Sequence, residues 1–525
     1  MAELLHQLIE QSAMKTPDVA ALWHKDACLS YRELQEKISA ISAGLAAAGL
    51  ARGERVGIYL PKQPETVFAM FGANRAGGAF VPINPLLKAP QVAYILRDCN
   101  IRILITSSQR LEILEDILAG CHDLRVIVTV DEQPPGTAPT CPQKVLRWGQ
   151  LLNNPVLNEQ PVTIDGDMAA ILYTSGSTGN PKGVVLSHRN MVTGARSVAE
   201  YLGNIPGDRI LAVLPFSFDY GLSQMTTAFL TGASVVLMDY LFPGDILKAI
   251  VRYRITGLAA VPPLWNQLAQ LTWPPEAGKS LRYITNSGGA MPKAISGKLR
   301  EQLPDTDIFL MYGLTEAFRS TYLPPDQIEI RPESIGKAIP NAEILVVRED
   351  GSECAPGEPG ELVHRGALVA MGYWNDPDKT AERFKPCPGR PTELPLTEIA
   401  VWSGDQVRKD DEGYLYFISR KDEMIKTSGY RVSPTEVEEV VYGLEGVAEL
   451  AAVGLPHQDL GQAILLVAAA NPAITEEAVL NHCRQTLPNY MVPLAVRFIE
   501  TLPRNQNGKI DRKLLANTYR DVFQY

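Results

Sequence analysis

The sequence predicts an α/β protein: a large N-terminal domain of two doubly wound βα layers plus a small β-barrel-like unit, followed by a small mobile α+β C-terminal domain. Short apolar runs alternate with helical patterns as far as about residue 340, which implies parallel sheets wrapped by helices. Short β-rich runs separated by Gly, Pro and Asp occupy residues 343–419. The last hundred or so residues return to an α+β pattern. A chain of 525 residues also exceeds the roughly 250–300 at which a single core stops growing.

The first layer is predicted from one strong helix and a series of strands. Residues 31–49 carry apolar positions at helical spacing and end at Gly49, a favourable residue after a helix C-terminus. The following elements are a strand at 55–60, a helix at 64–77, and strands at 101–105 and 125–130. Residues 131–165 contain several Pro and Gly and are expected to form a loop-rich connection. The second layer has strands near 209–215, 233–239, 257–261, 281–286 and 307–311.

Composition narrows the class of protein. The formal charge of -10 argues against a nucleic-acid partner, because that binding depends on Lys and Arg neutralising phosphates. No apolar stretch reaches the roughly 18 residues needed to span a bilayer, and the first 18 residues lack the pattern of a secretory signal. The seven Cys are scattered without a CxxC pair, which favours a reducing cytoplasm over a disulfide framework or zinc site.

Residues 169–186 carry the strongest functional pattern. The apolar run Ala170–Tyr173 leads into a loop, and a second apolar run, Val184–Leu186, follows at once. The loop combines hydroxyl groups, glycines that admit close backbone approach to an anion, and one lysine. Its residues are Thr174, Ser175, Gly176, Ser177, Thr178, Gly179, Lys182 and Gly183. We predict strand, phosphate-binding loop and strand, with Ser187 capping the next helix.

A Walker A loop is excluded, because that motif needs Ser or Thr after its Lys and a helix facing the phosphates, whereas Gly183 and a β-type run follow Lys182. Composition alone leaves open a flexible surface loop rich in Gly and Ser.

Two further motifs follow predicted strands. The first, at 286–290, includes Ser287, Gly288, Gly289 and Ala290, where a Gly pair lets a flat ligand lie against the backbone. The second, at 311–316, includes Met311, Tyr312, Gly313, Thr315 and Glu316, which combine an aromatic ring, a hydroxyl and a carboxylate able to hold Mg²⁺. A tight turn in the first case, and a buried Tyr with a solvated Glu in the second, are the non-functional alternatives.

The C-terminal domain is expected to begin near a charged linker at 420–423. Ser433 with Glu436 predicts a capping box, and Pro434 suits the first helical position. The pattern continues with a helix at 434–443, strands near 447–454 and 463–470, a helix at 475–487 and a strand at 495–500. Residues 505–512 form a polar loop that displays Lys509, and a lysine in such a turn is most often simply solvated.

Together these motifs resemble the adenylate-forming superfamily of acyl-CoA synthetases, adenylation domains of nonribosomal peptide synthetases, and beetle luciferases. The signatures are the loop at 174–183, Tyr-Gly-Leu-Thr-Glu at 312–316, Gly360 through Asn375, Ser-Gly-Asp at 403–405, and Asn-Gly-Lys-Ile-Asp at 507–511. The resemblance spans about residues 10–515. It implies an AMP-forming ligase that uses ATP and Mg²⁺, with coenzyme A or the phosphopantetheine of a carrier protein as acceptor.

The resemblance also implies roles for individual residues. Tyr312 becomes the adenine platform, Thr315 a phosphate contact, Glu316 the Mg²⁺ ligand and Asp405 the ribose ligand, whereas Lys182 and Lys509 become the catalytic lysines. Arg420 becomes a ribose or phosphate contact, Asp422 the hinge between domains 1–421 and 422–525, and Lys426 and Gly429 part of the thiolation site. The whole expected ATP site is Thr174, Ser175, Gly176, Ser177, Thr178, Gly179, Lys182, Gly288, Gly289, Ala290, Tyr312, Gly313, Thr315, Asp405 and Arg420.

The branch of the superfamily is less clearly marked. Residues 428–438 look more like acyl-CoA synthetases, whereas Asp219 falls where amino-acid-adenylating domains carry the Asp that holds the substrate's ammonium group. The expected substrate pocket is Phe218, Asp219, Tyr220, Ser287, Met311 and Arg319. Alternatively Asp219 and Arg319 form a structural salt bridge. A buried charge must meet its neighbour or a polar substrate, so a small carboxylic or amino acid is expected rather than a long alkyl chain.

Three other functional classes are less consistent with the motifs. A P-loop NTPase would need a helix after Lys182, and a catalytically inactive binding protein would be expected to lack Lys182, Glu316 or Lys509. Oxidation of the adenylate, as in luciferases, is a rare use of this architecture.

Overall fold

The fold is described from a computed structural model covering residues 2–131, 141–155, 161–174, 181–391, 393–420, 423–427, 430–457, 460–505 and 508–524. At positions 426, 430 and 431 the description extends to the backbone alone. Most of the predicted phosphate loop, from Ser175 to Gly179, therefore lies outside the described residues, as do Asp422 and Gly429.

The first part of the chain forms the predicted βα layer. Its elements are α1 (Gln7–Lys15), β1 (Ala20–His24), β2 (Ala27–Ser30), α2 (Tyr31–Ala47), β3 (Arg55–Tyr59), α3 (Pro64–Arg75), β4 (Ala79–Pro82), α4 (Ala89–Asp98), β5 (Ile101–Thr106), α5 (Ser108–Leu118), β6 (Val126–Thr129), β7 (Lys144–Arg147), α6 (Trp148–Leu152), β8 (Met168–Thr174) and β9 (Lys182–Ser187). Strands β3 to β9 form a sheet in the order β7-β6-β5-β3-β4-β8-β9. Every neighbouring pair is parallel except β8 and β9, which form an antiparallel hairpin.

The second layer follows directly. Its elements are α7 (His188–Tyr201), β10 (Arg209–Ala212), α8 (Asp219–Thr231), β11 (Ser234–Leu237), α9 (Pro243–Tyr253), β12 (Gly257–Ala260), α10 (Pro262–Leu268), α11 (Pro275–Ser280), β13 (Tyr283–Asn286), α12 (Lys293–Gln302), β14 (Asp307–Tyr312), a 3₁₀ turn (Thr315–Ala317), β15 (Thr321–Leu323), a second 3₁₀ turn (Pro325–Gln327) and β16 (Ser334–Ala338). The sheet order is β16-β15-β14-β13-β12-β10-β11-β1-β2. The N-terminal strand β1 pairs in parallel with β11, a long-range pairing that the local pattern did not predict.

The β-rich segment joins this second sheet edge to edge. It contains β17 (Ala342–Val347), β18 (Gly360–Gly366), α13 (Pro377–Arg383), β19 (Phe384–Pro386), β20 (Ile399–Lys409) and β21 (Leu415–Arg420). All its strand pairs are antiparallel, and β21 pairs with β16, so the predicted β unit continues the second sheet.

The last part of the chain forms its own sheet. Its elements are β22 (Ile425–Thr427), β23 (Tyr430–Val432), α14 (Pro434–Tyr442), β24 (Val447–His457), β25 (Gly461–Ala470), α15 (Glu476–Thr486), a 3₁₀ turn (Asn489–Met491), β26 (Ala495–Phe498) and α16 (Arg512–Thr518). The order is β23-β22-β25-β24, with β26 pairing to β25. The helices and strands predicted here are confirmed, with boundaries shifted by a few residues.

The predicted capping box at Ser433 was wrong, although α14 begins there with Pro434 in its first turn. Ser433 makes no cap hydrogen bond; its hydroxyl instead donates to the carbonyl of Ile418 and lies 2.7 Å from the hydroxyl of Thr435. A tertiary contact with β21 therefore takes the oxygen that a local cap would have used.

The main core lies between the first two sheets. Helices α3, α7 and α8 contribute to it, and α8 is buried over most of its length. Phe71 of α3 and Phe229 of α8 meet edge to face with ring centroids 5.5 Å apart. Since α8 is held on all sides, its N-terminal residue Asp219 has a fixed position at the end of the second sheet.

Candidate active site

The candidate site lies where parallel strands of the second sheet end. The chain segments after β10, β13 and β14 carry Asp219, Gly288 and Glu316, because the carboxyl ends of parallel strands meet at one edge. The β8–β9 hairpin of the first sheet adds Thr174 and Lys182, which are paired in the register of its last rung. The two predicted strands on either side of the loop are thereby confirmed, whereas the loop itself, residues 175–180, lies outside the described residues.

Lys182 lies at the start of β9 in a cationic neighbourhood. Burial lowers its pKa, and the nearby charges of Lys379 and Arg383 lower it further, while Asp376 and Glu316 act in the opposite direction. Its ammonium nitrogen lies 5.3 Å from the centre of the Tyr373 ring, a cation–π distance. Lys182 thus lies beside other cationic side chains, an arrangement that suits an anionic ligand such as a triphosphate.

Glu316, the predicted Mg²⁺ ligand, is held by two contacts from the segment before α13. The hydroxyl of Tyr373 donates to Glu316 Oε1 at 2.6 Å, and the amide of Ala370 donates to the Glu316 carbonyl at 2.8 Å. Within the described residues no group of three or more His, Cys, Asp or Glu could hold a metal ion. One carboxylate fits Mg²⁺, which commonly takes one or two carboxylates and completes its shell with phosphates and water.

An unusual turn carries Thr315 through Arg319. The 3₁₀ turn ends at Phe318, whose φ of 56° and ψ of -56° are rare for a residue with a side chain, and the amide of Arg319 donates to the carbonyl of Ala317 at 2.6 Å. This γ-turn is strained, and such strain persists only where the surroundings over-determine it. The Phe318 ring is fully buried and packs against Gly194 of α7, leaving no room there for a Cβ.

The turn directs Arg319 onto Asp219. Arg319 Nη1 donates to Asp219 Oδ2 at 2.7 Å, and both side chains are almost fully buried, at 2% and 4% exposure. The Arg319 guanidinium also lies 4.7 Å from the centre of the Tyr220 ring, and Thr315 Oγ1 approaches Asp219 Oδ1 at 3.4 Å. The salt bridge that the sequence left open as an alternative is thus present.

The expected ribose site is formed by three side chains. The hydroxyl of Tyr312 donates to Asp405 Oδ2, and Asp405 Oδ1 lies 3.6 Å from Arg420 Nε. Burial raises the pKa of Asp405, whereas Arg420 and the Tyr312 hydrogen bond oppose that rise. Within the described residues Asp405 Oδ1 is buried without a hydrogen-bond donor, so it retains an acceptor position for a ligand hydroxyl.

Gly288 is one of the points at which the C-terminal part meets the second βα layer. Its φ of 84° favours glycine, and a Cβ there would lie 3.2 Å from Lys509 Cε, 3.5 Å from Val261 and 3.6 Å from Phe218. The preceding Asn286 donates from Nδ2 to the Gly289 carbonyl at 2.9 Å, which closes the turn through the buried Ser287 towards Ala290. The tight turn and the close backbone approach are therefore both present.

Lys509 reaches this site from the far end of the chain. Its backbone amide donates to Asn505 Oδ1 at 3.1 Å, and its ammonium nitrogen lies 5.8 Å from the centre of the Phe218 ring. Burial lowers its pKa and Arg420 contributes in the same direction, whereas Asp219 and Asp405 raise it. The lysine is not simply solvated: it shares the site with Asp219 and Gly288.

The remaining predicted pocket residues are buried and already have partners. Tyr220 places its hydroxyl 2.5 Å from Thr285 Oγ1, and Met311 accepts a contact from the Tyr201 hydroxyl at 2.9 Å from its sulfur. Gly313 lies against the backbone of Arg319.

Three predicted residues of the C-terminal part are not tested by the structure. The hinge role of Asp422 and the thiolation role of Gly429 stay predictions, because both residues lie outside the described ones. Lys426 lies in β22, but its side chain is not described.

Tyr373 is a site residue that the sequence did not single out. It belongs to the Gly372-Tyr-Trp-Asn motif, to which no role was given. The available sequence signal was an aromatic residue directly after a glycine inside a family motif; in the structure Gly372 has φ 119°.

The described helices include none long and apolar enough to cross a membrane.

Comparison with known proteins gives consistent matches. The family model described as AMP-binding enzyme matches residues 9–374, and the one described as AMP-binding enzyme C-terminal domain matches residues 436–509. The chain is 30% identical over 518 residues to tyrocidine synthase 3 of Brevibacillus parabrevis, covering 97% of this chain and 8% of that protein. It is 30% identical over 545 residues to a long-chain-fatty-acid–CoA ligase of Salmonella typhimurium, covering 98% and 94%. The first peptide synthetases matched are far longer, and the chain spans 6–10% of their length.

Solved structures are similar over nearly the whole chain. The anthranilate CoA ligase AuaEII in complex with anthranoyl-AMP has a TM-score of 0.88 and 26% identity, covering 99% of this chain and 98% of that chain. The o-succinylbenzoate CoA synthetase MenE of Bacillus subtilis, in complex with its acyl-adenylate intermediate, has a TM-score of 0.82 and 25% identity, covering 97% of both chains. ATP-bound MatB from Rhodopseudomonas palustris shares the fold, with a TM-score of 0.87 at 24% identity over 100% of both chains.

Proposed function

The chain belongs to the family of AMP-binding enzymes and is an adenylate-forming ligase, and from that premise we propose that it is an acid–thiol ligase of the acyl-CoA synthetase type. It activates a small carboxylic acid that lacks an α-ammonium group, using Mg-ATP, and transfers the acyl group to coenzyme A. The proposed setting is the cytoplasm, where both ATP and coenzyme A are present.

The ion pair between Asp219 and Arg319 carries this proposal. An amino-acid substrate would need Asp219 as a free counter-ion for its ammonium group, but the guanidinium already occupies one carboxylate oxygen at 2.7 Å. Breaking a buried pair by removing one partner is costly, about 3–5 kcal/mol, because the other charge is left uncompensated. An ammonium group would have to displace Arg319 against that cost, so an acid without one is favoured.

In the first half-reaction the substrate carboxylate oxygen attacks the α-phosphorus of ATP, and the bond to the bridging oxygen of pyrophosphate breaks. Attack of an anion on a polyphosphate is opposed by repulsion, which positive groups near the phosphorus reduce. We assign this task to Lys182 from the β8–β9 hairpin and Lys509 from the C-terminal part. Mg²⁺, held by Glu316, would neutralise phosphate charge when bound.

In the second half-reaction the thiol gives up its proton to water, its sulfur attacks the acyl carbon, the bond from that carbon to the phosphate oxygen breaks, and AMP leaves. Lys509 has no task in this step. We propose that the part from 422 to 525 is a separate domain that rotates against 1–421 about Asp422, withdraws Lys509, and brings the segment with Lys426 and Gly429 to the site. The approach of Lys509 to Gly288 supports assigning the present arrangement to the adenylation step.

A stand-alone amino-acid-adenylating enzyme that loads a carrier protein is the second candidate. Two observations favour it: Asp219 occupies the position expected for an ammonium ligand, and the chain is 30% identical to a segment of tyrocidine synthase 3. Since that similarity covers only 8% of the synthase, it says little about the acceptor.

The discriminating experiment measures pyrophosphate release with Mg-ATP over a panel of small aliphatic acids, aromatic acids and amino acids, and then consumption of coenzyme A for each active acid. We expect a non-amino acid to be active and coenzyme A to be consumed. Activity confined to amino acids, with coenzyme A untouched, would establish the carrier-protein alternative instead.

Replacing Arg319 tests directly whether its ion pair with Asp219 excludes substrates that carry an ammonium group. In Arg319→Ser, Asp219 loses its partner, so an ammonium group should become an acceptable substitute for the guanidinium. We expect pyrophosphate release with the preferred acid to fall and release with amino acids of similar size to rise from background. An unchanged ranking of acids would show that Asp219 does not face the substrate.

A further inference from the structure

Tyr373 is fixed against the strand that carries Lys182. The segment 371–374, called the strap below, runs alongside β9: the amide of Met371 donates to the Val185 carbonyl at 2.9 Å, and the amide of Trp374 donates to the Gly183 carbonyl at 2.7 Å. Between them Tyr373 forms an antiparallel bridge with Val184. The strap is therefore hydrogen-bonded along the strand that begins with Lys182.

The Tyr373 side chain is also fixed. It is 8% exposed, and its ring meets Phe384 edge to face with centroids 5.6 Å apart. Its amide donates to Thr380 Oγ1 at 3.0 Å, which ties the strap to α13. Because both backbone and ring are held, the phenol hydroxyl has a defined position.

That position connects two groups that the proposed function places at the nucleotide. The hydroxyl donates to Glu316 Oε1 at 2.6 Å, while the face of the same ring lies 5.3 Å from Lys182 Nζ. Among the residues that the structure describes, Tyr373 is the side chain that donates to the Glu316 carboxylate. Lys182 and Glu316, both of which are described, form no ion pair with each other. A direct pair would neutralise both charges and withdraw both from a ligand.

We propose that Tyr373 is a positioning residue that orients the Glu316 carboxylate for Mg²⁺ and keeps it apart from Lys182. With Oε1 engaged by the phenol, the carboxylate presents Oε2 as its ligand atom. The inference rests on the proposed function, since it takes Glu316 as the metal ligand. Hydrogen-bond partners of metal ligands commonly affect metal affinity about 10–100-fold, because they fix the orientation of the ligand.

The test measures ATP binding by calorimetry, in EDTA and at a series of Mg²⁺ concentrations, for the full-length protein and for Tyr373→Phe. This substitution keeps the ring, its packing on Phe384 and its contact with Lys182, and removes only the hydroxyl. We expect the Mg²⁺ concentration that gives half the maximal gain in ATP affinity to rise about tenfold. Affinity in EDTA should stay within about twofold of the unmodified protein.

Tyr416→Phe is the matched control. Tyr416 also donates from its hydroxyl to a carboxylate, Asp410 Oδ2 at 3.0 Å, but on the β-rich segment and without contact to Lys182 or Glu316. We expect its Mg²⁺ dependence to equal that of the unmodified protein. A shift in Tyr416→Phe as large as in Tyr373→Phe would attribute the effect to general loosening and overturn the inference.

Glu316→Gln distinguishes a failure of the role proposed for Tyr373 from a failure of Glu316 as the Mg²⁺ ligand. If Tyr373 acts through Glu316, adding Tyr373→Phe to Glu316→Gln should change the Mg²⁺ dependence no further. If Glu316→Gln alters the dependence and Tyr373→Phe does not, the inference about Tyr373 is wrong and the role of Glu316 stands. If Glu316→Gln itself leaves the dependence unchanged, the metal assignment in the proposed function fails, and the role of Tyr373 fails with it.

Discussion

Lys509 and Lys182 come from distant parts of the chain, and neither is an ordinary surface lysine. Burial lowers the pKa of each, while anionic neighbours, Asp219 for Lys509 and Glu316 for Lys182, favour the charged form. A desolvated ammonium group interacts strongly with a phosphate, because little water screens it. The sequence predicted both lysines by resemblance, but their environments became apparent only from the structure.

Lys509→Ala should separate the two half-reactions. We expect ATP–pyrophosphate exchange to fall about 10²–10³-fold, the usual effect of removing a group that stabilises developing charge. Thioester formation from a supplied acyl-adenylate should stay close to normal, since Lys509 has no task there.

Lys298→Ala is the control for Lys509→Ala, because Lys298 is an exposed lysine on α12. It should leave both half-reactions unchanged. Equal loss of both half-reactions in Lys509→Ala would contradict its assignment to adenylation alone.

Among the structural elements, the strained turn at Phe318 is stabilised by its neighbour α7. Gly194 on that helix has no Cβ, and an added one would lie 2.4 Å from the Phe318 ring. The ring therefore occupies space that only glycine leaves open, and the turn in consequence holds Thr315, Glu316 and Arg319 in place. Sequence patterns predicted α7 but not the reason for a glycine inside it.

Gly194→Ala tests this packing. Overpacking a buried contact costs about 1–3 kcal/mol, so we expect a lower melting temperature together with weaker ATP–pyrophosphate exchange. Gly297→Ala on α12 is the matched control, since a Cβ there has nothing within 4 Å and should stabilise the helix by about 0.5–1 kcal/mol. If Gly194→Ala behaves like Gly297→Ala, the turn does not depend on this contact.

In the molecule as a whole, two buried histidines link the N-terminal helix α1 to α7. Burial lowers the pKa of His6 to about 3 and that of His188 to about 4. His188 Nδ1 accepts from the Leu5 amide at 3.0 Å, whereas both ring nitrogens of His6 are buried without a hydrogen-bond partner within the described residues. The titratable groups that act on His6 are His188 and Arg75, and both lower its pKa.

His6 should make the protein sensitive to acid. The unfolded chain takes up a proton near pH 6.5 and the folded one only near pH 3, so the unfolded state binds more protons between these values and stability falls as the pH falls. In His6→Phe, the loss of unfolding free energy between pH 7 and pH 5 should shrink by about 2 kcal/mol. Denaturant unfolding at pH 7 and pH 5 measures this loss.

His122→Gln is the control for His6→Phe, because His122 is exposed. It should leave the loss of unfolding free energy between pH 7 and pH 5 unchanged. The same loss in His6→Phe as in the unmodified protein would refute the prediction.

Asp422→Pro tests the proposed rotation of the C-terminal domain. Proline at position 422 would fix φ of that residue and thereby hinder the backbone rotation that the proposed hinge requires. We expect adenylation to persist and thioester formation to fall sharply, with the two half-reactions measured separately. Loss of adenylation to the same extent would place Asp422 in the nucleotide site rather than at a hinge.

The sequence by itself determined the βα alternation, the two strands β8 and β9 and the start of α14, because hydrophobic periodicity, glycines and prolines act over a few neighbouring residues. It did not determine the pairing of β1 with β11, the hydrogen bond from Ser433 to the carbonyl of Ile418, or the hydrogen bond from Tyr373 to Glu316. Only the tertiary structure decided these, and only it joined Asp219 to Arg319, 100 residues further along the chain. Such contacts depend on which elements pack side by side, a choice made by the whole core rather than by any local run of residues.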